Sequence, residues 1–217
     1  TSQPHSNVVF AHMFAWLDEV LELARSHSAT LFVLRAHPDE SRPGKASQES
    51  VRQWVERTHA ADLPNLIFID SHQALSSYEL IRRSKFVMIY NSTIGLEASL
   101  LGVPVLCAGR ARFTQLPTVF FPATPVAFRQ QAEEFLNAAS IPVPPEFASN
   151  ARRFLYYQLF YSSLPFDDFL EEDGIWPGFV RLRRFTPDRL SAAHSPALRA
   201  ILDGLLHGGT FLLKDDR

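Results

Sequence analysis

"FVMIYNSTIGLEASLLGVPVLCAG", residues 86–109, decides how this 217-residue chain is read. It is the longest nearly apolar stretch, and a membrane span is the first thing to test. Asn91, Ser92, Thr93 and Glu97 interrupt it and Gly102 and Pro104 break it, so a strand, a helix and a second strand in a folded core account for it better than a span. The helix opens at Ser92 and Thr93, and the strands are "FVMIY" and "VPVLCAG".

The same alternation runs back toward the amino terminus. Residues 10–27 place Phe14, Leu17, Leu21 and Ala24 at helical spacing, with Asp18, Glu19 and Glu22 on the other side. "TLFVLRA", residues 30–36, reads as a buried strand. A polar loop containing Pro38, Pro43 and Gly44 leads to a helix over 48–59. "NLIFID", residues 65–70, is the next strand, and a short helix covers 77–83. Short apolar strands alternating with helices predict an α/β domain whose parallel sheet is covered on both faces.

Beyond Gly109 the pattern changes. Residues 124–139 predict a helix, 141–145 a proline-rich connector, and 146–163 a long helix dense in aromatic residues. A last helix over 195–207 stops at Gly208-Gly209. The expected organisation is a main domain over 1–140 and a helical carboxy-terminal extension over 141–217, with no internal repeat. The chain opens on a polar heptapeptide, an apolar patch and a helix where a doubly wound sheet opens on a strand. An excised portion of a longer protein is therefore the expectation.

Composition removes several function classes. The hydrophobic content is 46% and the formal charge is −2, which gives no bulk electrostatic reason to bind nucleic acid or anionic lipid. Only local basic groups such as Arg181, Arg183 and Arg184 offer such contacts. One cysteine, Cys107, allows no internal disulfide, and no secretory signal opens the chain, so a reducing cytoplasm is expected. There is no G-x-G-x-x-G, no G-x-x-x-x-G-K-[ST] and no H-E-x-x-H. The acidic pairs Asp167-Asp168 and Asp215-Asp216 read as solvated, and no metal site is expected.

Ligands of parallel sheets gather outside the carboxyl ends of the strands. Three polar groups fall there: His37-Pro38, Asp70-Ser71-His72 and Asn91-Ser92-Thr93. The third has the clearest physics, because backbone N–H groups, the positive dipole end and two hydroxyls make a helix start an anion receptor. The same pair reads equally as a helix cap, and the two readings are compatible. Gly95 lets the helix or a ligand approach closely. Glu97 lies on the face of Thr93 one turn on, where it either accepts sugar hydroxyls or is an exposed helix residue, although a carboxylate among the apolar neighbours Leu96, Ala98 and Leu100 needs a partner. A lone histidine is commonly structural, but Pro38 holds His37 extended at a strand end. Asp70, His72 and Ser77 have the residue types of a hydrolase triad without its spacing or its elbow, a coincidence. An anion receptor beside a hydroxyl acceptor suggests a nucleotide.

With these residues in view, the chain resembles the bacterial capsule polysaccharide biosynthesis family, glycosyltransferases of GT-B type related to Kdo transferases. The family's R-x-H-P-x-E is similar to Arg35, His37, Pro38 and Glu40. Its S-T-x-G-x-E-A-x-x-x-G-x-P-V is similar to Ser92, Thr93, Gly95, Glu97, Ala98, Gly102, Pro104 and Val105, and "SSYELIRRSKFV" resembles its Ser-Tyr-x-Leu-Ile stretch. The resemblance is good over 34–112 and looser near the carboxy terminus.

The resemblance implies a Rossmann-like domain, the carboxy-terminal half of a GT-B enzyme, with a helical appendage. It implies a CMP- or UDP-linked sugar donor as substrate and no cofactor. Arg35, His37, Pro38, Ser92, Thr93, Gly95 and Glu97 would bind the donor, with His37 stabilising the departing phosphate as the catalytic residue and Glu97 on the ribose. A local pairing of Arg35 with Glu40 is the alternative for Arg35. The general base and the glycan or glycolipid acceptor would belong to an amino-terminal domain missing from the chain, so the chain alone is not expected to turn over well. The aromatic helix reads first as core and second as the element that crosses back onto that domain. Placement is expected to be cytoplasmic, with peripheral association at the inner membrane as an extension of that reading. Two alternatives stand beside the transferase: a sugar-nucleotide epimerase or polyol-phosphate transferase, and a non-catalytic interaction domain on a nucleotide fold.

Overall fold

The computed structural model describes residues 4–41, 49–175 and 178–213. Pro43, Gly44 and Gln48 of the expected loop and helix, and the pair Asp215-Asp216, lie outside the described residues. The chain divides into two compact units, 1–151 and 152–217.

The first unit alternates strands and helices as its apolar pattern dictates. α1 (Met13–Ser26) begins where His12 Nδ1 accepts the Ala15 N–H at 3.0 Å, and it buries Trp16, Leu17, Leu21, Leu23 and Ala24. β1 (Phe32–Arg35) follows, then a 3₁₀ turn from Pro38 to Ser41. α2 (Val51–Thr58) opens on a reciprocal cap between Ser50 and Gln53. Then come β2 (Leu66–Ile69), α3 (Ser77–Arg83), β3 (Val87–Ile89), α4 (Ile94–Leu100), β4 (Val105–Cys107) and α5 (Pro125–Asn137). The last begins with Thr124 as its cap and Pro125 in its first turn.

β1 pairs with β2 in parallel, Phe32 opposite Leu66 and Arg35 opposite Ile69. β3 pairs with β4 in parallel, Val87 opposite Val105, and Phe120 adds a bridge to Leu106. The chain is thus a mixed α/β protein with the expected Rossmann-like parallel arrangement, its hydrogen bonds falling into two short parallel pairs. One apolar cluster joins them, drawing on Phe32, Trp54, Leu66, Tyr90, Leu106 and Phe128. Buried Asn65 secures the entry to β2, its amide lying 2.9 to 3.1 Å from the carbonyls of Ala24, His27 and Thr30.

α6 (Pro145–Tyr157) buries Phe147, which meets Phe120 edge-on with centroids 5.1 Å apart, and Ala151. Farther on, Tyr156, Tyr157, Leu159 and Phe160 are exposed, the last two in a π-helical turn, Gln158–Ser162. The aromatic helix is therefore core at its start only. The second unit also contains an antiparallel pair that periodicity did not suggest, β5 (Leu170–Glu172) with β6 (Val180–Leu182), ahead of α7 (Pro196–His207). The carboxy-terminal part is helical as expected, through α6 and α7, with this short pair added between them. "LEE" carries no apolar–polar alternation, and the residues of β6 are all exposed, so neither strand announces itself. Among the described residues no helix is long and apolar enough to cross a membrane.

Cys107 ends β4 with no exposed surface, its sulfur 3.2 Å from the Tyr90 carbonyl oxygen and 3.1 Å from that of Gly109. Burial pushes its thiol up to about 12. The native protein should therefore resist a disulfide-exchange reagent at pH 8, and the reagent should label Cys107 at the rate of unfolding as urea is added. Immediate stoichiometric labelling without denaturant contradicts this packing.

Candidate functional site

The site assembles at the carboxyl end of β1 and around the start of α3. Arg35 is the last residue of β1, and its Nη1 donates to the hydroxyl of Ser77, the first residue of α3, at 2.5 Å. The next residue, Tyr78, donates its phenolic O–H to Glu97 Oε2 in α4. Two neighbouring hydroxyls thus join the two polar motifs, one on each side. The Tyr78 phenol is held above its ordinary range, first by the hydrogen bond to Glu97, then by that carboxylate's charge and by burial. Glu97 thus has a protein partner in Tyr78. Its second oxygen accepts from no described residue, so capacity for further donors remains.

Arg35 and Pro38 also line an open depression of about 500 Å³ with residues 71–76, Ser71, His72, Gln73 and Ser76 among them. His37 and Pro38 are exposed beside it, and the His37 carbonyl accepts the Glu40 N–H at 2.9 Å. Arg35 and Glu40 do not pair with each other. Glu40 Oε1 instead accepts the Val51 N–H at 2.8 Å and supports the start of α2. The expected Asp70-Ser71-His72 group is present at this edge, but its acid has a structural job. Asp70 Oδ1 accepts the His72 N–H at 3.0 Å and the Ser71 hydroxyl at 3.2 Å, while Oδ2 faces Arg52 Nη2 at 2.7 Å. Ser77 serves Arg35, so Asp70, His72 and Ser77 form no relay.

Ser92 and Thr93 precede α4 and do not line that depression. Ser92 Oγ accepts the Ile94 N–H at a long 3.4 Å, and Thr93 makes no capping bond with its side chain. The N–H groups of Gly95 and Leu96 already pair with the carbonyls of Ser92 and Thr93, at 3.1 and 3.0 Å. An anion here would therefore meet two hydroxyls and the dipole end more than a row of open N–H groups. Gly95 is buried against β3, where an added Cβ would run into Ile89 and lie 3.4 Å from the Phe113 ring. Its smallness serves the helix–strand approach. Gly102, at φ 76°, supplies the left-handed turn that carries the chain out of α4 toward β4.

Sequence reasoning passed over Gln73, and although it quoted the stretch containing Ser76, Ser77 and Tyr78, it gave none of the three a partner. Ser77 stands forty-two residues from Arg35 and Tyr78 nineteen from Glu97, and no periodicity links such positions. In the second unit a depression of about 470 Å³ contains Arg183, Arg184 and Arg189. Arg183 is drawn to Glu171 at 3.7 Å and Arg189 to Asp168 at 3.8 Å, which leaves it a less favourable anion site.

For Asp70, burial is the largest influence and pushes the carboxyl up, but the His72 N–H, the Arg52 guanidinium and the Ser71 hydroxyl together hold it below the usual carboxylate range. A depressed folded value adds stability that is present above the unfolded value, near 3.8, and is lost as pH falls below it. Arg52→Ala should cost about 1 kcal/mol at pH 7, since Arg52 is itself half exposed. It should also shrink the acid-dependent part of the loss. Urea unfolding at pH 7 and pH 3 measures both, and an unchanged pH dependence contradicts the pairing.

No curated protein and no solved structure matches the chain. A family profile described as "Capsule polysaccharide biosynthesis protein" matches residues 5–134, a span that includes Arg35, the loop lining the depression, α3 and all of α4. That span is more than half of the 217 residues, and the chain belongs to the capsule polysaccharide biosynthesis protein family.

Proposed function

We propose that within capsule or surface polysaccharide synthesis this chain binds the donor of a nucleotide-sugar-dependent glycosyltransferase of GT-B type. The observation that carries the reading is the double tie at α3: Ser77 holds Arg35 beside the depression, and Tyr78 holds Glu97 one residue later. A cation and a carboxylate with spare acceptor capacity are what a nucleoside phosphate needs, the cation for phosphate and the carboxylate for ribose hydroxyls.

In this proposal the donor is a CMP- or UDP-linked sugar. Transfer breaks the bond between the anomeric carbon and the phosphate oxygen, and the electron pair stays on that oxygen. Negative charge grows there as the bond lengthens. Arg35, His37 and the hydroxyls of Ser92 and Thr93 meet it, with the dipole of α4 behind them, and stabilise the departing nucleotide most when its charge is greatest. Pro38 holds the strand end open beside His37. The acceptor, a glycan or glycolipid, forms the new bond from its hydroxyl oxygen to the anomeric carbon, and its proton passes to a base outside this set of residues. Gly95 lets α4 sit close on β3 and so sets where the start of that helix meets the donor.

Calorimetric titration of the chain with CMP, CDP, UDP and GDP tests the reading. One of them should bind, and His37→Ala and Ser92→Ala should each weaken it roughly tenfold to a hundredfold, the loss of a hydrogen bond to a charged group. Absence of binding by all four, or affinity that survives both substitutions, contradicts it.

A further inference from the structure

We propose that Tyr78 is a positioning residue that sets selectivity for ribose over deoxyribose at this site, an inference that rests on the proposed nucleotide site. Its phenol occupies one oxygen of Glu97 and fixes the carboxylate, leaving the other oxygen to accept from a ligand. A glutamate on a helix surface otherwise samples several rotamers and turns its oxygens to water. One held by a tyrosine on the neighbouring helix is already oriented when a ligand arrives. Tyr78 is 46% exposed, so the pair lies at the surface where an incoming sugar can reach it. A ribose presents vicinal hydroxyls as donors, and a carboxylate with a defined free oxygen distinguishes such a pair from a sugar that lacks one of them. A phenol carries its proton at neutral pH, and the carboxylate beside Tyr78 pushes its titration further up, so the orienting bond persists under working conditions. Ser77 ties the same helix turn to Arg35, so what Tyr78 does for the sugar end is anchored to the phosphate end.

The test compares UDP with dUDP, and CMP with dCMP, by calorimetry on wild type, Tyr78→Phe, Glu97→Gln and the double variant. Wild type should bind the ribose form at least tenfold more tightly than the 2′-deoxy form. Tyr78→Phe removes one oxygen at an exposed position and should reduce that ratio to threefold or less with an unchanged melting temperature. A purely structural tyrosine would move the melting temperature and leave the ratio alone. Glu97→Gln should lose the ratio as well, and the double variant should lose no more than either single one, because the two side chains act as a unit. If Tyr78→Phe does not fold, retention of the ratio by Glu97→Gln still overturns the proposal. A wild-type protein that binds both forms equally overturns it while the nucleotide site stands, as does a Tyr78→Phe protein with the wild-type ratio. A wild type that binds none of these nucleotides overturns both.

Discussion

A parallel strand reaches its neighbour only through a crossover that travels back along the sheet: α2 carries β1 to β2, α4 carries β3 to β4, and α3, seven residues long, links the two pairs. Its first turn comes out where β1 ends, and Ser77 and Tyr78 occupy that turn. One reaches Arg35 on the β1–β2 pair and the other Glu97 on the helix that packs on β3. The two parallel pairs share no ladder hydrogen bond with each other. Their relative placement at the site edge rests on the common apolar cluster beneath and on this turn above.

The layer beneath the site is built to keep that turn in place. Gly95 allows α4 to sit against Ile89, and buried Ser99 in the same helix donates to the Thr118 carbonyl at 2.7 Å. Asn65 satisfies the end of α1 and the start of β1 from the strand beside it. Asp70 closes the loop after β2 with its own side chain and is steadied by Arg52. Polar groups that look chemical in the sequence are here spent on backbone, and the loop they shape is the wall of the depression. Buried polar side chains with complete hydrogen bonding are a way to make a loop conform to one shape.

Much of this was legible in the residues themselves. The alternation in residues 86–109 locates β3, α4 and β4, and "LFVLRA" locates β1, because buried strands of a parallel sheet are continuous apolar runs. Arg35, His37, Ser92 and Glu97 could be picked out because strand ends and helix starts are visible in a pattern. What pattern cannot show is which distant side chains meet. That Arg35 reaches Ser77 and not Glu40, and that Glu97 has Tyr78 as its partner, depends on how α3 links the two pairs. Gly95 was readable as a point of close approach, but whether to a ligand or to a strand only packing against Ile89 decides. The β5–β6 pair was invisible for a different reason: exposed on one strand and charged on the other, it lacks the period on which strand recognition rests.

In the proposed function both motifs, tied by one helix turn, serve one ligand. Hydrogen exchange measured by mass spectrometry, with and without the tightest-binding nucleotide, tests it most directly. Protection should appear together in peptides covering 34–38, 71–78 and 92–97, with the remainder of the first unit little changed. Protection confined to one of these segments, or appearing only in the second unit around Arg183 and Arg189, would contradict the account.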